Sequence, residues 1–279
     1  MFTINIFDAL FSGQYSVMGK KPQRVEYVRG QMVFDGITLF TDAHIVQDVL
    51  VSNVQSPVKI GWLREPQCLH PGAYEAAWRN RHLFDIILTY HQPFLDQGGP
   101  FKFCPYGGVW LERQHWGVKP KTKMLSMLYG TKIATEGHKI RPKIAEYLLG
   151  MDIDVDFYGA RGEAVDYSAE TKRKVLQDYR FTIVTETCRD DNLFTEILLD
   201  CFAVGTVPIF WGCPNAHKYF DVEGIFQFDT ARDAAIMASY LDEGMYERTL
   251  PAVFENHERM KEYEITEDWI FDRVLAQLA

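Results

Sequence analysis

The chain has 279 residues, of which 47% are apolar and 24% charged, a composition that is typical of globular proteins and excludes a disordered chain. Its 29 basic and 38 acidic residues give a net charge of −9, which argues against nucleic acid or an anionic membrane as the main partner. At roughly 100–200 residues per domain, this length accommodates one large domain or two ordinary ones.

Short apolar runs alternate with segments of helical period, a pattern that is typical of α/β proteins. In the first half, this pattern predicts strands at residues 2–7, 37–40, 58–63 and 84–90 and a helix at residues 71–81. Residues 92–106 are rich in proline and glycine, so we expect no regular structure there.

The second half alternates more regularly. Strands are predicted at residues 124–129, 153–157, 181–184, 207–211 and 225–228, and helices at 138–149, 168–177, 195–202, 230–240, 246–262 and 266–278. This succession predicts a doubly wound unit, and the basic residues 119–123 are the candidate linker before it. We therefore divide the chain into domains at residues 1–118 and 119–279, with the last helix a candidate for packing back on the first domain.

The sequence also carries signals of cellular location. No stretch approaches the roughly 18 apolar residues of a membrane span, and the N-terminus lacks the features of a signal peptide, so we expect a cytoplasmic protein with no integral membrane segment. The cysteines are Cys68, Cys104, Cys188, Cys201 and Cys213. Their wide spacing predicts buried thiols in a reducing compartment, with neither disulfides nor a zinc site.

Residues 179–211 (YRFTIVTETCRDDNLFTEILLDCFAVGTVPIFW) are the most informative segment. A predicted strand leads to Glu186, and Thr195 and Glu196 open the next helix. Ligands of open α/β sheets bind beyond the carboxyl ends of the strands, and amides at a helix start favour an anionic ligand. Glu196 is therefore a candidate for ribose hydroxyls, the alternative being a first-turn residue that only complements the helix dipole.

This segment resembles the sugar-nucleotide signature of the α1,3-fucosyltransferase family, glycosyltransferase family 10. The matching pieces are residues 179–181 (YRF), 185–188 (TETC), 192–197 (NLFTEI) and 205–212 (GTVPIFWG). Further pieces match in the same order upstream, at residues 63–66 (LREP), 82–90 (HLFDIILTY), 104–107 (CPYG), 138–148 (HKIRPKIAEYL) and 155–159 (VDFYG). The resemblance extends over about residues 58–229.

The resemblance implies a GT-B-like α/β fold of two Rossmann-like domains facing a cleft. It also implies an inverting, metal-independent glycosyltransferase that moves a sugar, fucose first of all, from a nucleotide diphosphate to a glycan hydroxyl. The expected partners are a nucleotide-sugar donor, GDP-fucose or another, and a glycan acceptor, with no further cofactor. Asp152, Asp154 and Asp156 resemble an Asp-x-Asp metal motif, but they alternate with apolar residues as on a solvated strand face, so no metal site is expected.

The family pattern also implies roles for donor-side residues. Arg141 falls where the family places an arginine on the nucleotide diphosphate, and a planar guanidinium suits phosphate. Glu186 and Glu196 would hold sugar and ribose hydroxyls, and Thr195 would donate to phosphate. Without the family pattern, Arg141 reads as a solvated helix arginine.

Acceptor-side roles fall in the first domain. Glu65 follows the strand at residues 58–63 and is the candidate general base for the acceptor hydroxyl. The alternative for Glu65 is a surface carboxylate paired with Arg64, Arg79 or Arg81. Trp62 and Tyr106 are candidate acceptor contacts because aromatic rings form platforms for sugars, although both are also typical packing residues.

Two departures from the family pattern bear on the donor, and the first is Leu193, which stands where the family has a tyrosine. Ile197 stands where the family has a lysine that touches the donor phosphate, and Lys132, Lys139, Lys143 and Arg189 are the candidate replacements. Two alternatives therefore stay open: the same fold with a different sugar-nucleotide donor, or a catalytically silent protein that binds a sugar or nucleotide.

Overall fold

The computed structural model describes residues 1–9, 19–166 and 168–278, which form two compact α/β units. Unit 1 comprises the chain up to Gly108, the short segment Asp191–Leu193 and the residues from Ile265 onward. Unit 2 comprises Val109–Asp190 and Phe194–Glu264.

The change from unit 1 to unit 2 lies earlier in the chain than the expected boundary after residue 118. The backbone N–H of Val109 donates to the carbonyl of Glu264 at 3.2 Å. The next N–H, that of Trp110, donates to the Asp200 carboxylate at 2.9 Å. These bonds attach the segment before the basic linker to unit 2.

Within the described residues, unit 1 contains a six-stranded parallel sheet. Its strands are β1 (Phe2–Phe7), β2 (Val25–Arg29), β3 (Ile37–Thr41), β4 (Val58–Trp62), β5 (Ile86–Thr89) and β6 (Phe101–Phe103). The strand order is β2-β1-β3-β4-β5-β6. The order of connection reverses after β2, so the topological switch lies between β1 and β3.

The described part of unit 2 contains a five-stranded parallel sheet. Its strands are β7 (Lys123–Tyr129), β8 (Asp156–Gly159), β9 (Tyr179–Thr185), β10 (Val207–Trp211) and β11 (Phe226–Gln227). The order β11-β10-β9-β7-β8 places β8 on one side of β7 and β9 on the other. The topological switch of this sheet therefore lies between β7 and β9.

Helices connect these strands. They are α1 (Asp42–Ile45), α2 (Asp48–Asn53), α3 (Pro71–Arg79), α4 (Gln92–Leu95), α5 (Glu136–Gly150), α6 (Ala169–Leu176), α7 (Glu196–Val204), α8 (Ala231–Ser239), α9 (Glu243–Met260) and α10 (Thr266–Arg273). Side chains cap several of their N-termini, as at Ser168 before α6 and Thr230 before α8. At both positions the side-chain oxygen accepts a helix N–H that has no intrahelical partner.

The sheets are covered on both faces. In unit 1, α1 and α3 pack on one face, and Ile270 of α10 packs with Leu39 and Ile60 on the other. In unit 2, α5, α8 and α9 bury the face that carries Phe181 and Ile183. The apolar strand residues therefore form separate cores in the two units.

Two local predictions are wrong. The strand predicted at residues 153–157 begins only at Asp156, because Asp152 has a positive φ of 54° and pairing with β7 starts at Asp156 opposite Ser126. Residues 92–106 were expected to lack regular structure, yet they contain α4 and β6. Strand β6 forms because its backbone pairs with β5.

The cysteines follow the prediction only in part. Cys104, Cys201 and Cys213 are free and buried, as predicted. Cys68 and Cys188 are disulfide-bonded, so the expectation of unpaired thiols is wrong for these two, because spacing along a sequence does not report which sulfurs meet. Among the described residues, no helix has both the length and the apolar character needed to cross a membrane.

Candidate functional site

A cavity of about 480 Å³ lies at the carboxyl ends of β7 and β9 in unit 2. Residues from both strands and from α5, α6 and α7 line it. Its charged lining residues are Lys132, Arg141, Lys172, Glu196 and Asp200. Because this is the topological switch of the sheet, the cavity occupies the place where open α/β sheets bind ligands.

Arg141 projects from the second turn of α5 onto the end of β9. Its Nε donates to Thr185 Oγ1 at 2.7 Å, and its Nη2 donates to the Thr185 carbonyl at 2.8 Å. These two bonds fix the orientation of the half-buried guanidinium beside the cavity. Arg141 is therefore a fixed positive charge in the wall of the site.

The approach of α5 to β9 depends on Gly137. Its backbone N–H donates to the Thr187 carbonyl at 3.1 Å. A Cβ atom added at Gly137 would lie only 1.7 Å from the carbonyl oxygen of Glu186. Glycine at this position thus lets the first turn of α5 reach the chain after β9, which brings Arg141 to Thr185.

The structure places Glu186 and Thr195 beneath the cavity wall and outside its lining. Glu186 is fully buried, and its Oε1 accepts the backbone N–H of Thr195 at 2.8 Å. The Thr195 hydroxyl lies 2.9 Å from Glu186 Oε2 and also accepts the Ile197 N–H at 3.2 Å. The expectation that these two residues reach a ligand directly is therefore corrected: they bind each other and fix the start of α7.

Burial also changes the protonation of Glu186. Desolvation raises the pKa of this carboxyl to about 8 from its ordinary value of 4.5, and the negative charge of Glu196 adds to the rise. Bonds from Thr195 and the nearby Arg141 oppose the rise without cancelling it.

Glu196 lies on the cavity wall together with residues that sequence reasoning missed. Lys172 Nζ donates to Glu196 Oε1 at 3.2 Å and to Asp200 Oδ2 at 3.1 Å, and it lies 4.0 Å from the centre of the Trp110 ring. Burial lowers the pKa of Lys172, but the two carboxylates outweigh it and hold the pKa above its ordinary value. The acidic pair at positions i and i+4 of α7 is the sequence signal that could have indicated a cation between them.

The candidate replacements for the lysine that is absent at position 197 differ in their place relative to the cavity. Lys132, on the loop after β7, lines the cavity. Arg189 instead pairs with Asp229, and Lys139 and Lys143 are exposed on α5 outside the cavity lining. In the described parts of the chain, no three His, Cys, Asp or Glu side chains are arranged to share a metal ion.

Glu65 lies in unit 1, in a turn after β4 that a buried aspartate organises. Asp42 Oδ1 accepts the backbone N–H of Arg64 at 2.9 Å and that of Glu65 at 3.2 Å. The Tyr74 hydroxyl donates to the Glu65 carbonyl at 2.9 Å, and Arg64 Nη2 donates to the Glu65 carboxylate at 3.0 Å. Burial raises the pKa of Asp42 to about 6. The Glu65 side chain stays 17% exposed, so the turn presents a carboxylate that solvent reaches.

Of the two aromatic residues expected on the acceptor side, Trp62 is corrected by the structure. Its side chain is only 1% exposed and packs with Ile60 and Leu88, so it offers no ring face to a ligand. Tyr106 is half-buried, and its carbonyl accepts the Thr266 hydroxyl at 2.6 Å. Acceptor contact by Tyr106 stays a prediction.

Solved structures share this architecture. A crystal structure of an alpha1,3-fucosyltransferase matches with a TM-score of 0.64 at 14% identity, over 99% of this chain and 88% of that one. An alpha1,3-fucosyltransferase crystallised with GDP-fucose matches with a TM-score of 0.58 at 15% identity, over 91% and 82% of the two chains. Two doubly wound parallel sheets and these likenesses show the GT-B fold class, as the sequence predicted.

Sequence comparison identifies the family. The model of glycosyltransferase family 10 (fucosyltransferase), C-terminal part, matches residues 118–266, which is more than half of the chain. Alpha-(1,3)-fucosyltransferase FucT of Helicobacter pylori is 28% identical over 81 residues, a match that spans 27% of this chain and only 17% of that relative's length. The chain belongs to glycosyltransferase family 10, and the predicted resemblance is confirmed.

Proposed function

We propose that this chain transfers a sugar, fucose in the first instance, from a nucleotide diphosphate to a glycan hydroxyl, with inversion and without a metal ion. The observation that carries the proposal is the cavity at the β7/β9 switch, in which Thr185 holds the Arg141 guanidinium in place. Family membership and the structural likeness to an enzyme crystallised with GDP-fucose support fucose as the sugar.

On the donor side, Arg141 and Lys132 would meet the diphosphate. Negative charge grows on the diphosphate as its bond to the sugar breaks, and fixed cations stabilise that charge more than they stabilise the intact donor. Glu196 would accept hydrogen bonds from ribose hydroxyls. Glu186 and Thr195 would contribute indirectly, since they fix the first turn of α7 on which Glu196 stands.

On the acceptor side, Glu65 would act as the general base. The acceptor oxygen attacks the anomeric carbon, its proton passes to the Glu65 carboxylate, and the electron pair of the breaking bond leaves with the diphosphate. The bonds from Asp42 and Tyr74 to the backbone of the turn support this role, because they fix the position of a carboxylate that remains accessible. Tyr106 is the proposed acceptor contact.

Two substitutions test this division of roles. We expect Glu65→Gln to lower transfer from GDP-fucose by about 10²–10⁴-fold while GDP affinity stays unchanged, because only proton transfer is lost. Arg141→Ala should weaken GDP binding at least about tenfold, since a charge-assisted contact to phosphate disappears. Transfer is measured by release of GDP in the presence of acceptor, and affinity by calorimetry.

The matched controls are Glu75→Gln, an exposed carboxylate on α3, and Lys143→Ala, an exposed cation on α5. Both should behave as the unmodified protein. A fully active Glu65→Gln variant would remove Glu65 from the mechanism, and an unchanged GDP affinity in Arg141→Ala would remove the diphosphate from this side of the cavity.

A different donor is the second candidate function, because the apolar side chain of Ile197 lines the cavity where the family has a lysine. Thermal shifts with GDP, UDP, ADP, CDP and dTDP separate the two. The largest shift with GDP supports the fucose donor and shows that Lys132 and Arg141 suffice, whereas a larger shift with another nucleotide supports the second candidate. Binding without any turnover of the matching nucleotide sugar, with or without acceptor, would identify a silent binder.

A further inference from the structure

We propose that Lys172 is a positioning residue that holds one oxygen of Glu196, so that the other oxygen accepts the paired 2′ and 3′ hydroxyls of a ribonucleoside diphosphate. This inference rests on the proposed donor site, and it adds to that site a residue that acts on the ligand through Glu196.

Three neighbours hold the ammonium group of Lys172 inside the protein. An ammonium group has three N–H donors. One points to Glu196 Oε1 at 3.2 Å, one to Asp200 Oδ2 at 3.1 Å, and the group stands 4.0 Å from the centre of the Trp110 ring. Since each direction has a partner, Lys172 acts on a ligand through Glu196.

Glu196, in contrast to Lys172, leaves part of its hydrogen-bonding capacity open. Its Oε1 accepts from Lys172, whereas its Oε2 has no hydrogen-bond partner among the residues that the structure describes. The side chain is 16% exposed and lines the cavity as the first residue of α7. A carboxylate with one oxygen fixed and one open is suited to accept hydrogen bonds from two neighbouring hydroxyls.

Asp200 gives Lys172 a rigid support. It is 1% exposed, and its Oδ1 accepts the backbone N–H groups of Trp110 at 2.9 Å and Leu111 at 3.1 Å. The segment before β7, helix α6 and helix α7 are thereby joined at one point of the cavity wall. Lys172 also offsets the charge of two carboxylates beside a cavity for which we propose an anionic ligand.

The experiment compares GDP with 2′,3′-dideoxy-GDP by calorimetry. In the unmodified protein, GDP should bind about tenfold more tightly, because the dideoxy analogue leaves Glu196 Oε2 without its donors. Lys172→Met should reduce this ratio to less than about twofold, Glu196→Gln should do the same, and Lys172→Arg should retain it. Lys174→Met, on the exposed side of the same helix, is the matched control and should keep the full ratio.

The outcomes separate this inference from the proposed function. If Lys172→Met weakens both nucleotides equally, its effect is electrostatic and the positioning role is overturned. If Lys172→Met does not fold, Lys172→Met combined with Asp200→Asn removes the buried charge pair together, and a full ratio in that variant also overturns the role. If the unmodified protein binds no GDP, the ribonucleoside diphosphate with the largest thermal shift and its dideoxy analogue replace the probes. Binding of none of the nucleotide diphosphates in the panel overturns the proposed function, and this inference with it.

Discussion

At the scale of single residues, the sequence predicts which polar residues follow β9. It does not predict which atoms their side chains contact. The sequence predicts that Glu186 ends a strand and that Thr195 and Glu196 open a helix, and the structure has both elements there. Which carboxylate faces the cavity depends on the path of the chain between them. That path turns Glu186 onto Thr195 and leaves Glu196 on the cavity wall.

The buried Glu186 carboxyl makes stability depend on pH. The unfolded chain releases this proton near the ordinary pKa of 4.5, whereas the folded protein keeps it until the pKa of about 8. Raising the pH through this window therefore favours the unfolded state, and below 4.5 both states hold the proton. At about 1.4 kcal/mol per tenfold change in proton affinity, the loss reaches about 3–5 kcal/mol.

Glu186→Gln removes this titration while its amide oxygen still accepts the Thr195 N–H. Urea unfolding at several pH values between 4.5 and 8 checks the effect in both proteins. We expect the stability of the unmodified protein relative to the variant to decline as the pH rises. Parallel stability profiles for the two proteins would contradict an elevated pKa at Glu186.

At the scale of elements, the start of α5 determines whether the site can form. The first turn lies against the backbone after β9, and only the absence of a side chain at Gly137 permits this approach. The last residue of the same helix, Gly150, has open space around it, with no atom within 4 Å of the point that an added Cβ would occupy. Substitution by alanine is therefore expected to have opposite effects on stability at the two glycines of α5.

Gly137→Ala should destabilise the protein by about 1–3 kcal/mol and weaken GDP binding, because a backbone carbonyl must move away and carry the end of β9 with it. Gly150→Ala should stabilise by about 0.5–1 kcal/mol, since alanine loses less conformational freedom than glycine on folding. Thermal unfolding with and without GDP measures both effects. Equal behaviour of the two variants would show that the approach of α5 is not constrained.

Elements with a strong apolar pattern were predictable, and those that depend on pairing were not. The sequence predicts β1 and β10 with the bounds that the structure has, because apolar residues predominate in both. Strands β2 and β6 were missed because they are the edge strands of their sheet, where charged side chains face solvent and hide the pattern. In the site, the family pattern predicts Arg141 as a candidate. It does not predict Asp42 or Lys172, because the residues that these two side chains bind are distant from them in sequence.

At the scale of the whole molecule, unit 1 is assembled from separate parts of the chain. Asn192 belongs to it, since its side-chain amide donates to the Tyr90 carbonyl at 2.9 Å. Helix α10 covers one face of the sheet of unit 1, with Ile270 only 3% exposed against Leu39 and Ile60. The stability of unit 1 thus depends on residues from far along the chain.

Ile270→Ala should therefore lower the free energy of unfolding by about 2–5 kcal/mol, through lost burial and the cavity that remains. Leu278→Ala is the control, because Leu278 is 44% exposed. Denaturant titration of both variants measures the difference. A loss below about 0.5 kcal/mol in Ile270→Ala, the size of an ordinary surface change, would mean that α10 contributes little to unit 1.

The separated parts of unit 1 also set an order of events during synthesis of the protein. Strand β1 leaves the ribosome well before α10, which packs on its sheet and follows only after the whole of unit 2. At typical translation rates the interval is on the order of tens of seconds. During that time the sheet face against which Ile270 packs lacks this helix, while unit 2, complete at Glu264, can already fold.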